Sequence, residues 1–351
     1  MSDTRATMTD AGAARLGVGE PAVSGSAISV PAWRQLENMP VGLFGSVMGL
    51  TALSVGWTLA VARYGAPPWI GRWIGAAAIV AFVALALGYA VKFATAPDAV
   101  RAEFRHPIAG NLFGTFLISL LLLPIILAPL SLPLAQALWV VGAVGMVGFA
   151  WRIVHRWTSD RQQMAHATPA WIVPVLGLLA VSLALPALGL PPLHGVMVLG
   201  LAVGMFLALP LFTLIFARLI FEPPLPEALL PSLMILVAPF AVGFWAYVVT
   251  TGEVDLFAQS LYMVTLFMLA VLGGRLRYLP LCCPFRVSWW AVSFPLAASA
   301  VAALRFAAVR PGWIPDAIAL ALLVFSTLII LLLLARTLVG VARGELRTLS
   351  S

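Results

Sequence analysis

The chain has 351 residues, of which 62% are hydrophobic and only 9% charged, and its mean hydropathy is +1.05. A soluble domain carries about 25% charged residues, so this composition excludes one and points to a protein of the bilayer. The formal net charge is +7, yet the basic residues form no patch interleaved with aromatics, which excludes nucleic acid as a partner.

Residues 1–39 are rich in Ser, Thr, Ala and Gly, with Asp3, Asp10, Glu20 and Glu37 scattered among Arg5, Arg15 and Arg34. Without an apolar run they read as a flexible cytoplasmic tail, neither signal peptide nor span. Ten apolar stretches follow, near 40–62, 70–94, 107–128, 133–154, 170–188, 194–217, 229–250, 256–274, 287–304 and 314–340. Each approaches the ~20 residues a helix needs to cross ~30 Å of hydrocarbon. None has the short alternating pattern of barrel strands. The expected fold is an all-α polytopic membrane protein, with one ten-helix membrane domain over 40–341 and a short cytoplasmic C-terminal tail over 342–351.

Basic residues orient this domain. With the N-terminus inside, 16 of the 20 Lys and Arg fall on the cytoplasmic side, and only Arg63, Arg72, Arg305 and Arg310 fall outside. That bias obeys the positive-inside rule, and a miscount by one span would scramble it. The expected location is a bacterial inner membrane, multi-pass, with both termini cytoplasmic. The bias alone accounts for the net charge.

Odd-numbered spans begin near 40, 107, 170, 229 and 287, a period of roughly 60 residues per helical hairpin. They carry the helix-disturbing residues: Pro40, Gly42, Gly45 and Gly49 in the first, Pro107, Gly110, Gly114 and Pro124 in the third. The fifth has Pro174 and Gly177, the seventh Pro231 and Pro239, and the ninth Pro295. Even spans are plainer, although the sixth contains Pro210. Breaks of this kind survive in a membrane where neighbours or a cavity satisfy the freed carbonyls. An inner ring of five kinked helices inside five straighter ones fits the pattern. So does ordinary small-residue packing, as in Gly45-xxx-Gly49.

All 13 acidic residues and the four histidines, His106, His155, His166 and His194, lie in tails, loops or span ends. No midplane ionisable group is present to carry a coupling proton. Potassium-filter, HExxH and GxSxG motifs are missing, so an enzyme is not expected. The histidine spacing fits no metal template. Cys282 and Cys283 are adjacent and would form only a strained disulfide, so they read as small half-buried residues. No metal and no cofactor are expected.

Met39-Pro40-Val41-Gly42-Leu43-Phe44-Gly45, then Met48-Gly49-Leu50 and Trp57, resembles the first helix of the TehA/slow-anion-channel family, also called the tellurite-resistance/dicarboxylate transporter family. The run from Val100 to Pro107 is similar to the segment entering that family's third helix. Ile235 to Pro239, Gly252-Glu253-Val254-Asp255 and Trp289 to Ala297 resemble its seventh to ninth helices. The motifs keep the family order from about Pro40 to Arg343.

The resemblance implies five hairpins around a pseudo-fivefold central pore, odd helices inside and even ones outside, in a homotrimer with one conduit per protomer. It also implies that Phe294, in the Ser-Phe-Pro motif, plugs the pore. Phe44, Gly45, Gly49, Pro124, Pro174, Pro239, Phe240 and Pro295 are further candidates for pore lining or helix kinks. Arg105, Arg152, Arg156, Arg275, Arg277 and Arg286 would ring the cytoplasmic mouth and raise local anion concentration, or serve only to set topology. The expected function is a gated passive channel for small inorganic or organic anions. The alternative is a coupled transporter or exporter of C4-dicarboxylates, sulfite or tellurite-type oxyanions.

Overall fold

A computed structural model describes residues 37–191, 193–276 and 284–344, and among these every regular element is helical. The tails (1–36 and 345–351), Arg277, Cys282 and Cys283 lie outside the described residues. We number the main helices α1 Val41–Tyr64, α2 Pro68–Thr95, α3 Ala109–Leu127, α4 Leu132–Ser159, α5 Pro169–Ala180, α6 His194–Phe221, α7 Glu227–Thr251, α8 Leu256–Arg275, α9 Val287–Val309 and α10 Trp313–Ala342. A short helix, Pro97–Arg105, joins α2 to α3.

Among the described residues nine of these helices are long and apolar enough to span a bilayer, and α5 is the exception. The sequence predicts a continuous fifth span over 170–188, but the regular helix stops at Ala180, continues through turns, and resumes as one turn at Leu185–Leu188. Pro186 lies in that turn, without an N–H for the ladder and with a ring that crowds the preceding carbonyls.

Burial divides the helices into two classes. In the best apolar windows of α1, α3, α7 and α9, 67–78% of residues are buried, against 17–33% in α2, α4, α6, α8 and α10. Every residue of α5 is buried. α1 touches α3, α3 touches α5, α5 touches α7, α7 touches α9, and α9 touches α1. The even helices lie against these: α2 on α1, α4 on α3 and α5, α6 on α5 and α7, α8 on α7 and α9, α10 on α9 and α1. Exposed Trp73, Phe93, Val144, Phe206, Phe267 and Leu328 on the even helices form the apolar surface that a bilayer covers.

All five odd helices begin with a 3-10 segment (Val41–Phe44, Ala109–Leu112, Pro169–Ile172, Glu227–Val237, Val287–Val292), and none of the even helices does. A 3-10 turn closes i→i+3 bonds and leaves carbonyls poorly used where it passes into α geometry. Hydroxyls meet that need. Thr115 Oγ1 of α3 reaches Val41 O at 3.2 Å, Ser119 Oγ of α3 reaches Phe44 O at 3.2 Å, and Ser293 Oγ of α9 reaches Gly45 O at 3.2 Å. The irregular start of α1 is thus tied to both its odd neighbours, which is how broken helices are accommodated away from water.

Candidate functional site

Phe294 occupies the first turn of the α-helical part of α9, Ser293–Val309, and is only 3% exposed. Ser293 before it donates to Trp290 O at 2.7 Å as well as to Gly45 O. Pro295 after it has no N–H, and Ser299 Oγ donates to Pro295 O at 2.7 Å. Among the described residues no other aromatic ring stacks on Phe294, although fifteen ring pairs occur elsewhere.

The other candidate aromatics have ring partners. Phe44, 1% exposed, meets Phe82 and Tyr89 of α2 and Phe116 of α3 with centroids 5.9, 6.4 and 5.0 Å away. Phe240 of α7 is half-buried, edge-on to Phe212 of α6 at 5.3 Å. Gly49 lets α1 pass close to α9: an added Cβ would stand 2.5 Å from Ser293 Cβ. At Gly45 a Cβ would find Trp290 O at 3.7 Å, an ordinary contact.

The sequence predicts the prolines as kinks inside helices; Pro174, Pro239 and Pro295 stand instead where α geometry begins, whereas Pro124 follows a break within α3 and Pro231 lies inside the 3-10 start of α7. Pro174 and Pro239 lie in the first turns of Val173–Ala180 and Ala238–Thr251, and Pro124 opens the last turn of α3, Pro124–Leu127. Pro295 is the third residue of its α segment. A first-turn proline forfeits little, because its N–H would have no α-helical partner. Pro210 lies inside α6, which runs unbroken from His194 to Phe221.

Three of the predicted mouth arginines converge. Arg105, Arg152 and Arg156 line a cavity of about 750 Å³ together with Arg101, Phe104, Phe113 and Asp160. Arg156 Nη1 donates to Phe104 O at 3.4 Å. Arg275 is exposed at the end of α8 and Arg286 half-buried ahead of α9; neither lines this cavity.

Charged side chains also fasten the helix ends. Lys92 Nζ lies 2.6 Å from Glu103 Oε2 and 2.8 Å from Met39 O, and Glu103 Oε1 accepts the Val41 N–H at 2.8 Å. At the other end of α1, Arg63 Nη2 pairs with Asp316 Oδ1 of α10 at 2.7 Å, and the Tyr64 hydroxyl donates to the same oxygen at 2.6 Å. In the α7–α8 connection, Asp255 accepts the Tyr247 hydroxyl at 2.6 Å and the Ala258 N–H at 2.9 Å. These donors hold its carboxyl below the ordinary aspartate value, the Ala258 N–H contributing most.

Two arginines escape the sequence reasoning. Arg218, at the end of α6, is 5% exposed with Nε and Nη1 unpaired, and Arg305 of α9 has an unpaired buried Nε. Both are placed by sequence at or beyond span ends, where charge is unremarkable. The signal that could have found Arg305 is Phe306-Ala307-Ala308-Val309, four further residues able to carry the ninth helix past it.

Residues 38–338 match the family described as SLAC1, voltage-dependent anion channel. The chain is 28% identical over 315 residues to "S-type anion channel SLAH3" of Arabidopsis thaliana, covering 88% of this chain and 49% of that one. It is 26% identical over 318 residues to "Guard cell S-type anion channel SLAC1" of the same plant, covering 87% and 56%. "Tellurite resistance protein TehA homolog" of Haemophilus influenzae is 27% identical over 320 residues, with 88% of this chain and 92% of that one covered. The chain spans about half the length of the two plant relatives. An all-helical apolar fold and a family match across nearly the whole membrane domain agree: this is an integral membrane protein belonging to the SLAC1 anion channel family.

Proposed function

We propose that this protein is a gated, passive channel for small anions, in which five helical hairpins surround a conduit on a pseudo-fivefold axis and the Phe294 ring closes it. The odd helices line the conduit and the even ones form its outer layer. Three protomers, each with its own conduit, assemble in a bacterial inner membrane with both termini cytoplasmic. The plant relatives are named as anion channels, and the circuit of contacts among the odd helices supports the architecture.

The observation that carries the reading is the position of Phe294 on α9. At ~100° per residue, Phe294, Ala298 and Val301 share one stripe. On one flank Ser293 reaches Gly45 of α1, and on the other Phe306 stacks on Tyr262 of α8 at 4.3 Å. We read the stripe between those flanks as the one turned to the middle of the odd-helix circuit. Phe294 would therefore stand in a passage whose next residues outward are small and apolar.

Such a ring closes the passage by excluding water. An ion would have to shed hydration without replacement ligands, at a cost of several kcal/mol or more. Pro295 stands beside Phe294 where 3-10 geometry passes into α, an irregular stretch that would ease rotation of the ring. Arg105, Arg152 and Arg156 supply a positive field at the cytoplasmic mouth.

Energetics favour passive flow. An inside-negative potential drives each negative charge outward by ~2.3 kcal/mol per 100 mV, so release of a monovalent anion needs no coupling. Among the described residues, every Asp, Glu and His lies in a loop, a short helix or within about a turn of a helix end. Flux from proteoliposomes with the potential clamped by potassium and valinomycin tests the reading. A channel gives chloride or nitrate flux that reverses at the anion's Nernst potential at every pH gradient. Accumulation against the gradient, or reversal that moves with pH, would instead identify a coupled transporter of dicarboxylates, sulfite or tellurite-type oxyanions.

A further inference from the structure

Arg305 carries a positive charge within α9 that no carboxylate among the described residues neutralises and that only the face of the Trp245 ring attracts. The helix runs to Val309, so this arginine lies inside it and not beyond its end. Its Nε is buried without a hydrogen-bond partner, and among the described residues it pairs with no carboxylate. The carboxylates at that end of the molecule are engaged or lie in a connection: Asp316 holds Arg63 and Tyr64, Asp255 holds Tyr247 and the start of α8, and Glu253 stands in the exposed turn before it.

The surroundings combine one ring face with unused donors. The guanidinium carbon sits 5.6 Å from the ring centroid of Trp245 on α7. Trp245 is 1% exposed, and its Nε1–H has no acceptor. Tyr262 of α8, also 1% exposed, stacks on Phe306 and leaves its hydroxyl unpaired. Three side chains from three adjacent helices thus bring unused hydrogen-bond donors to one level of the protein, with no acceptor among the described residues to take them. Buried polar groups are as a rule satisfied; the Arg305 Nε, the Trp245 Nε1–H and the Tyr262 hydroxyl are exceptions, on a half-buried arginine and two buried rings.

Arg305 also falls on the stripe of Phe294. The two are eleven residues apart, about 16 Å along the axis and three turns plus ~20° around it. Ala298 and Val301 lie between them on the same stripe.

We propose that Arg305 and the Trp245 indole N–H form a binding site for a small monovalent anion, a halide or a nitrate-like oxyanion, on the outer side of the Phe294 ring. The site deepens the channel reading and rests on it for its place on the conduit. The guanidinium presents a planar fork of donors suited to an oxyanion and is more weakly hydrated than an ammonium. A single positive charge at this level attracts anions and repels cations in the stretch where the walls offer neither sign, giving selectivity that the mouth arginines alone would lose at high salt.

Two measurements on the full chain test the site. In the first, the thermal unfolding midpoint of detergent-purified protein is titrated with sodium chloride and sodium nitrate against sodium gluconate at fixed ionic strength. The wild type should show a saturable upward shift, which Arg305→Gln abolishes and Arg305→Lys retains in part. In the second, anion and cation permeabilities are compared in planar bilayers for Phe294→Ala with and without Arg305→Gln. The added substitution should lower anion conductance several-fold and cut the anion-to-cation permeability ratio by a similar factor, with Arg305→Lys intermediate.

An unchanged midpoint shift together with unchanged selectivity in Arg305→Gln overturns the site and leaves the arginine as one whose head reaches the membrane surface. Anion-dependent stabilisation that needs Arg305, with no current in Phe294→Ala, keeps the site and sinks the channel reading. Large currents in Phe294→Ala that ignore Arg305 do the reverse. If Arg305→Gln cannot be purified folded, Trp245→Phe carries the test: it keeps the ring, removes the indole donor, and should weaken the anion-dependent shift several-fold, an unaltered shift counting against the site.

Discussion

Lys92 and Glu103 form a nearly buried ion pair, Nζ to Oε2 at 2.6 Å with side chains 5% and 13% exposed, and Glu103 extends it to the backbone of α1 through the Val41 N–H. The Tyr89 hydroxyl adds a donor to the same carboxylate at 3.0 Å. One carboxylate therefore joins α2, the short helix after it and the 3-10 start of α1.

Breaking such a pair from one side leaves an uncompensated charge and costs about 3–5 kcal/mol, whereas replacing both members by apolar groups is far less harmful. Lys92→Met is expected to lower the thermal unfolding midpoint strongly. Lys92→Met with Glu103→Leu should do so by clearly less than the two single changes summed. Additive losses in a double-mutant cycle would contradict the coupling.

The contact of Gly49 with Ser293 makes a steric prediction. Gly49→Ala forces α1 and α9 apart at Ser293, an overpacking penalty of about 1–3 kcal/mol. Ser293→Gly on the facing side should recover part of that loss. Gly45→Ala, which meets only an ordinary contact, should be tolerated. Thermal stability of the detergent-solubilised variants decides, and equal sensitivity at the two glycines would count against the geometry.

Asp255 makes a pH prediction whose sign follows from its lowered pKa. Its donors bind the ionised form, so their stabilisation is fully present above the ordinary aspartate value and is lost as pH falls through the lowered one. The gap in thermal midpoint between wild type and Asp255→Ala should therefore be constant around neutral pH. It should close only below the usual carboxylate range. A gap that grows on acidification would refute the capping role.

The arginine-lined cavity predicts a salt-dependent effect. Neutralising Arg105, Arg152 and Arg156 together in the Phe294→Ala background should lower anion conductance several-fold at ~0.01 M salt, where the Debye length is about 30 Å. Little effect is expected at ~1 M, where it is about 3 Å. A loss that persists at high salt would mean these residues act by contact and not through their field.

Much of the fold is legible in the sequence because hydropathy carries it. Nine of ten expected spans are long membrane helices among the described residues, since ~20 apolar residues in a row have few other uses. The fifth is broken over 181–184 instead of continuous to 188, with Pro186 in its last turn, and hydropathy does not register a lost N–H. The 3-10 starts of the odd helices were hidden for a related reason. Glycines and prolines mark disturbance in the sequence, but the choice between i→i+3 and i→i+4 bonding depends on hydroxyls such as Ser293 arriving from another helix. Glu103 reads in the sequence as stabilising a loop through a nearby cation or helix end, as it does, but nothing there singles out Lys92 as the cation, because charges near span ends usually only set topology. Phe294 is singled out only by the family resemblance of its Ser-Phe-Pro motif, since one phenylalanine among 19 carries no signal of its own, and its role as the gate is our proposal.

The channel account turns on the Phe294 ring, and planar-bilayer recordings of wild type beside Phe294→Ala test it most directly. The account predicts small wild-type currents that rise at least tenfold in the variant and reverse near the anion's Nernst potential. Equal currents in the two proteins, each folded and reconstituted alike, would contradict a gate at this residue.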